Sequence, residues 1–73
     1  MAYEFTDRKS KKKYSEHKLA LLLHKEGEHI IYSDIEGVAI LMDDDNEKQY
    51  YLIDECGHAC WIDQERFKIS ETV

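Results

Sequence analysis

Cys56, His58 and Cys60 stand in the run DECGHACWI (residues 54–62), two thiols and an imidazole with the chain's only tryptophan directly behind them. Such a set could hold a metal ion, close a disulfide, or pair a nucleophile with a base. A structural zinc wants four ligands, and the familiar hairpin knuckle is Cys-x-x-Cys joined to a second such pair. Here the spacing is Cys-x-x-x-Cys, and a histidine at the tip of the turn would point away from both thiols. A fourth ligand would have to come from His17, His24 or His29. Facing strand ends would also suit a disulfide, but a reducing cytosol keeps such thiols free. Thiol catalysis needs a cleft, a base and an oxyanion site together, for which a chain this short has little room. The preferred reading is a hairpin in which Gly57 makes the turn and the cysteines act as small apolar residues beside the tryptophan. No enzymatic activity and no cofactor are expected, and zinc ligation by Cys56, His58 and Cys60 is the alternative.

Asp43, Asp44, Asp45, Asn46 and Glu47 form a second candidate. A calcium loop alternates its acidic residues, places glycine at the sixth position and closes with a distant bidentate glutamate, none of which is present. The run reads as a polar hairpin turn. The three glycines, at 27, 37 and 57, stand alone and build no phosphate-cradling loop.

Residues 1–18 carry six basic and three acidic side chains, whereas the remainder carries four basic and thirteen acidic, within an overall charge of −6. The chain therefore reads as a basic arm on an acidic body. An acidic body repels phosphate backbones, so nucleic-acid binding would be confined to Arg8, Lys9, Lys11, Lys12 and Lys13. At 73 residues, 42% of them hydrophobic, one small core is expected. LALLL (19–23) falls far short of the roughly 20 apolar residues that span a bilayer. The N-terminus lacks the apolar stretch and cleavage site of a secretory signal, which makes the cytoplasm the expected compartment.

The elements follow from local cues. Residues 1–13 have no sustained period and read as an arm, giving a division into arm (1–14) and a single domain (15–73). A helix is expected over 15–26: Ser15 caps it, Glu16 lies in the first turn, His24 and Lys25 lie in the last, and Gly27 ends it. The rival reading makes residues 18–24 a first strand. From 28 to 70 the pattern is that of a twisted antiparallel β-meander: HIIYSDI, then VAILM opened by Gly37, the DDDNEK turn, QYYLIDE, CWI after the cysteine hairpin, a turn at DQERF, and FKI. Trp61 and Phe67 are assigned to the core. Strand alternation sends one of Tyr50 and Tyr51 outward as a contact residue. Flanking it, Asp43, Asp44, Asp45, Glu47, Asp54 and Glu55 suit a positively charged partner.

The segment GVAILMDDDNEKQYYLIDECGHACWIDQERFKI resembles the C-terminal half of the small Src-homology-3-like barrels of phage and bacterial proteins, through Gly37, Tyr50, Tyr51, Asp54, Gly57, Trp61, Arg66 and Phe67. A shorter stretch, LMDDDNEKQYY, is similar to a strand–turn–strand piece of the small acidic phage inhibitors of uracil-DNA glycosylase. The expected fold is mainly β, a small α+β protein in which an arm and a short helix precede a β-meander or Src-homology-3-like barrel. Size, acidity and surplus aromatics point to a non-enzymatic binding protein of phage or mobile-element type that modulates a host nucleic-acid-handling protein. Its partner would present a basic surface. The alternatives are a nucleic-acid accessory module acting through the arm and a small zinc-stabilised domain. Unpaired edge strands in so small a sheet also allow a homodimer.

Overall fold

Tyr3 and Phe5 alternate with Glu4 and Thr6, and this period of two makes a strand, β1, at Ala2–Asp7. The computed structural model describes residues 2–72; Met1 and Val73, the outer limits of the expected arm and domain, lie outside the described residues. At the end of β1 the Asp7 carboxylate accepts hydrogen bonds from the backbone N–H groups of Lys9 and Ser10 (2.8 and 3.1 Å). Lys11 takes a left-handed conformation, φ 65°, and the chain returns as the two-residue strand β2, Lys13–Tyr14. The segment expected as an arm is thus a hairpin. Phe5 is fully buried in the core, and its burial anchors β1 while the basic run is confined to the exposed turn.

Helix α1, Glu16–Lys25, forms where its caps predict. Ser15 Oγ accepts from the Lys18 N–H at 3.3 Å. Gly27, φ 100°, ends the helix: its N–H donates to the His24 carbonyl while the Glu28 N–H donates to that of Leu23, the paired bonds of a Schellman motif. The strand alternative for residues 18–24 is excluded by this geometry. Arg66 ties the helix end to the far end of the chain, donating two hydrogen bonds to the Glu26 carboxylate (2.8 and 2.6 Å).

HIIYSDI, expected as a strand, is instead an irregular crossing with a short 3-10 turn at Tyr32–Asp34. Side chains take its polar groups in place of a neighbouring strand. The Ile31 N–H donates to Asp54 Oδ2 (2.9 Å), and His24 Nδ1 and His17 Nδ1 each lie 3.2 Å from the carbonyls of Ile30 and Tyr32. The strands β3 (Ile35–Met42), β4 (Lys48–Asp54) and β5 (Ala59–Ile62) then follow as an antiparallel meander. The last strand, β6 (Phe67–Thr72), leaves the meander and pairs antiparallel with β1 along its whole length.

The molecule is a mainly β, α+β protein of two small three-stranded antiparallel sheets, ordered β2-β1-β6 and β3-β4-β5. One core joins them to the helix: Phe5, Leu19, Ala20, Leu23, Ile30, Leu52, Cys60, Ile62 and Phe67. Among the described residues no helix is long and apolar enough to cross a membrane.

Candidate protein-binding face

The register of the β3-β4-β5 sheet sorts its side chains into two rows. Val38, Leu52 and Cys60 are cross-strand neighbours, as are Ile40, Tyr50 and Ile62, and these rows contain the buried Leu52, Cys60 and Ile62. Successive side chains point to opposite faces. Ala39, Tyr51 and Trp61 therefore form a row on the other face, flanked by Leu41 and Gln49 on one side and by Ile53 and Ala59 on the other. Among the described residues this face is left open at Trp61, 52% exposed, and Leu41, 58%, while Ala39, Tyr51 and Ile53 are partly buried. Trp61 was expected in the core. Its neighbours Cys60 and Ile62 take the inward positions of β5, so parity sends the indole out.

The indole is held in place. Its Nε1–H donates to Gln49 Oε1 at 2.9 Å, and Gln64, whose Nε2 donates to the Lys48 carbonyl at 2.7 Å, pins the turn after β5 alongside it. Glu47, Gln49, Asp63, Gln64 and Glu65 line a shallow hollow around Trp61. An aromatic floor with three carboxylates at its edge suits the guanidinium or ammonium of an incoming basic side chain, which can stack on the ring and pair with the rim.

The eight residues singled out for partner contact separate into two groups. Asp44, Asp45, Glu47 and Glu55 are exposed, and Tyr51 is half-exposed on the open face. The others face the protein itself. Tyr50 packs edge-on against Tyr3, ring centroids 6.2 Å apart. Asp43 folds into its own turn, accepting from the N–H groups of Asp45 and Glu47 (both 2.9 Å) and from Gln49 Nε2 (3.0 Å). Those bonds, led by the Glu47 N–H, hold its carboxyl below the usual range. Asp54 is buried and accepts four hydrogen bonds, from the backbone N–H groups of Ile31, Cys56 and His58 and from His58 Nδ1. Burial alone would raise its pKa, but the Ile31 and His58 N–H groups and the His58 ring together bring it down to about 2.

Asp54 also explains the cysteine hairpin. Its carboxylate and Gly57, φ 90°, shape the turn, and the His58 ring is drawn toward Asp54. Cys56 is exposed while Cys60 is buried, its thiol 3.7 Å from a Glu28 oxygen. Burial and then the Glu28 carboxylate push the Cys60 thiol up to about 11. Both thiols are free, and among the described residues no three His, Cys, Asp or Glu side chains gather as a metal-holding group.

The basic residues Lys9, Lys11, Lys12 and Lys13 stand exposed on the β1–β2 hairpin. Arg8 is partly engaged, its Nε donating to the Gln64 carbonyl at 2.9 Å. Leu41, Asp63, Glu65 and Gln49 were not singled out from the sequence, and Trp61 was assigned to the core rather than to a contact surface. The signal for Trp61 was present in the ACWI alternation, which cannot bury Cys60, Trp61 and Ile62 together. No family model, curated protein or solved structure matches this chain.

Proposed function

We propose that the protein is a non-enzymatic binding module that docks a basic partner protein on the open face of β3-β4-β5, with Trp61 as the anchor. The observation that carries this reading is the half-exposed indole, fixed by Gln49 and ringed by Glu47, Asp63 and Glu65. A rigid aromatic presented at low entropy cost is the commonest hot spot of protein interfaces. Tyr51 and Leu41 extend the apolar centre, and Asp44 and Asp45 extend the acidic rim, which speeds encounter with a positive surface.

Proteins that handle nucleic acids carry such surfaces, which supports a host protein of that class as the target and a phage or mobile element as the source. The resemblance to small acidic phage inhibitors of uracil-DNA glycosylase favours the same class. We read the fold as an open relative of the Src-homology-3-like barrels. Its support is the packing of both sheets on one core and the short turn between β5 and β6.

Trp61 reports directly on its own hollow, because it is the chain's only tryptophan. Titration with an arginine-rich peptide should change its emission saturably. Against the natural partner, Trp61→Ala should weaken binding roughly 30-fold or more, the ~2 kcal/mol of a hot-spot aromatic. Reversing Lys11, Lys12 and Lys13 to glutamate should leave that binding intact. Partner binding indifferent to Trp61 but abolished by the lysine reversal would replace this reading with the nucleic-acid module acting through the β1–β2 turn.

A further inference from the structure

Helix α1 buries Leu19, Ala20 and Leu23 in the core and leaves Leu21 and Leu22 only partly buried. Together with Tyr14 of β2 they floor a shallow groove of about 250 Å³ whose rim carries Lys13, Lys18 and Lys25. Lys13 has only a loose partner, Glu4 at 3.9 Å, and neither Lys18 nor Lys25 is ion-paired among the described residues. An apolar floor under three ammonium groups is complementary to a segment that carries aliphatic side chains beside carboxylates.

The chain presents such a segment elsewhere on its surface. The β3–β4 hairpin overhangs the core: Ile40 and Met42 lie on the face that is buried further along the strand, yet toward the hairpin end that cover thins, leaving Ile40 38% and Met42 58% exposed. Asp44, Asp45 and Glu47 follow at once, exposed, while Asp43 locks the turn that displays them. Three carboxylates beside exposed aliphatics match three lysines around an apolar floor.

We propose that the β3–β4 tip of one copy seats in the α1–β2 groove of a second copy. The contact is heterologous, tip into groove, so each bound copy keeps a free tip or a free groove, and association continues into a ring or a chain rather than stopping at a two-fold dimer. A phosphate backbone is a poorer occupant because it would leave Tyr14, Leu21 and Leu22 uncovered, and the chain's net charge of −6 repels it. The surfaces are small and the contact is weak, so it depends on protein concentration. The tip shares Glu47 with the rim of the Trp61 hollow, but the indole lies on the other face of the sheet and takes no part in the contact.

Charge exchange tests it. At millimolar protein and low salt, sedimentation equilibrium should show the wild-type mass rising with concentration beyond that of one chain. The double variants Asp44→Lys/Asp45→Lys and Lys18→Glu/Lys25→Glu should each stay monomeric, with circular dichroism showing both folded. Mixed in equal amounts they should associate again in one-to-one proportion, since each then meets a surface of opposite sign. Both variants remain net acidic, so overall attraction cannot cause that recovery. A wild-type protein monomeric at millimolar concentration, a mixture that stays monomeric, or variants that associate alone would each overturn the proposal. Trp61→Ala should self-associate as the wild type does while losing its basic partner, which separates this contact from the partner-binding reading.

Discussion

The Asp54 carboxylate closes the β4–β5 turn and holds the 28–34 crossing to it through the Ile31 N–H. Its pKa near 2 lies below the ordinary 3.8, so the folded chain binds this proton less readily than the unfolded chain. Asp54 therefore stabilises the fold above about pH 4, and that contribution is lost as the pH falls toward about 2. Asp7 and Asp43 are shifted in the same direction, chiefly by backbone N–H donors. Thermal melts should be level down to about pH 5 and fall steeply between about pH 4 and pH 2. Asp54→Asn should lower the neutral-pH Tm by roughly 10 °C or more, because an amide cannot accept all four bonds, and should flatten the acid limb. The two thiols differ as sharply. An exposed Cys56 should react with a thiol reagent in the native state, whereas Cys60, buried and raised to about 11, should react only after unfolding. Two equally fast thiols would contradict the burial of Cys60. Chelator should leave the Tm unchanged; a fall would restore the zinc alternative at Cys56, His58 and Cys60.

At the scale of elements, the strand nearest the N-terminus is as much part of the core as any other. Phe5→Ala should cost about 3–5 kcal/mol, measured by urea unfolding. Removing the first seven residues should abolish the folded state altogether, because β6 would lose its partner along its whole length. For this reason deletion of the basic segment cannot test nucleic-acid binding, and reversal of its exposed lysines can. The helix caps predict smaller effects. Ser15→Ala should cost about 1 kcal/mol, and Gly27→Ala a similar amount because its φ of 100° disfavours a side chain. The Arg66–Glu26 pair is well formed but exposed on both sides, so its loss should cost under about 1 kcal/mol.

On the scale of the whole molecule, the charge asymmetry of the sequence becomes a division of surface. The lysines of the β1–β2 turn and the groove belong to the half built by β1, β2 and α1, and the Asp44–Glu47 tip and the Trp61 hollow to the β3-β4-β5 sheet. Neither half has a core of its own among the described residues, since Phe5, Phe67, Leu52 and Leu23 share one. The pairing of β1 with β6 joins the two ends of the chain, a contact of very long sequence separation. Refolding should accordingly fall in the milliseconds-to-seconds range of β-rich domains rather than that of helical bundles, which stopped-flow circular dichroism would measure.

The sequence by itself determined what is decided within a few residues. Ser15 and Gly27 bounded the helix, Gly57 and the DDDNEK run made turns, and alternation placed β4 and β5 closely, because caps, turns and alternation are set by side chains bonding or packing against nearby backbone. The tertiary structure decided what depends on competition for a single core. The first residues became a strand only because β6 offered a partner and the core accepted Phe5. HIIYSDI, with the composition of a strand, was left irregular because Asp54 and two histidines took its polar groups. Asp54 was read as surface charge, though its role is set by the crossing folded over it. Both faces of β3-β4-β5 carry large apolar side chains, so composition could not say which one the helix and second sheet would cover. They cover Leu52 and Ile62, and Trp61 is left outside.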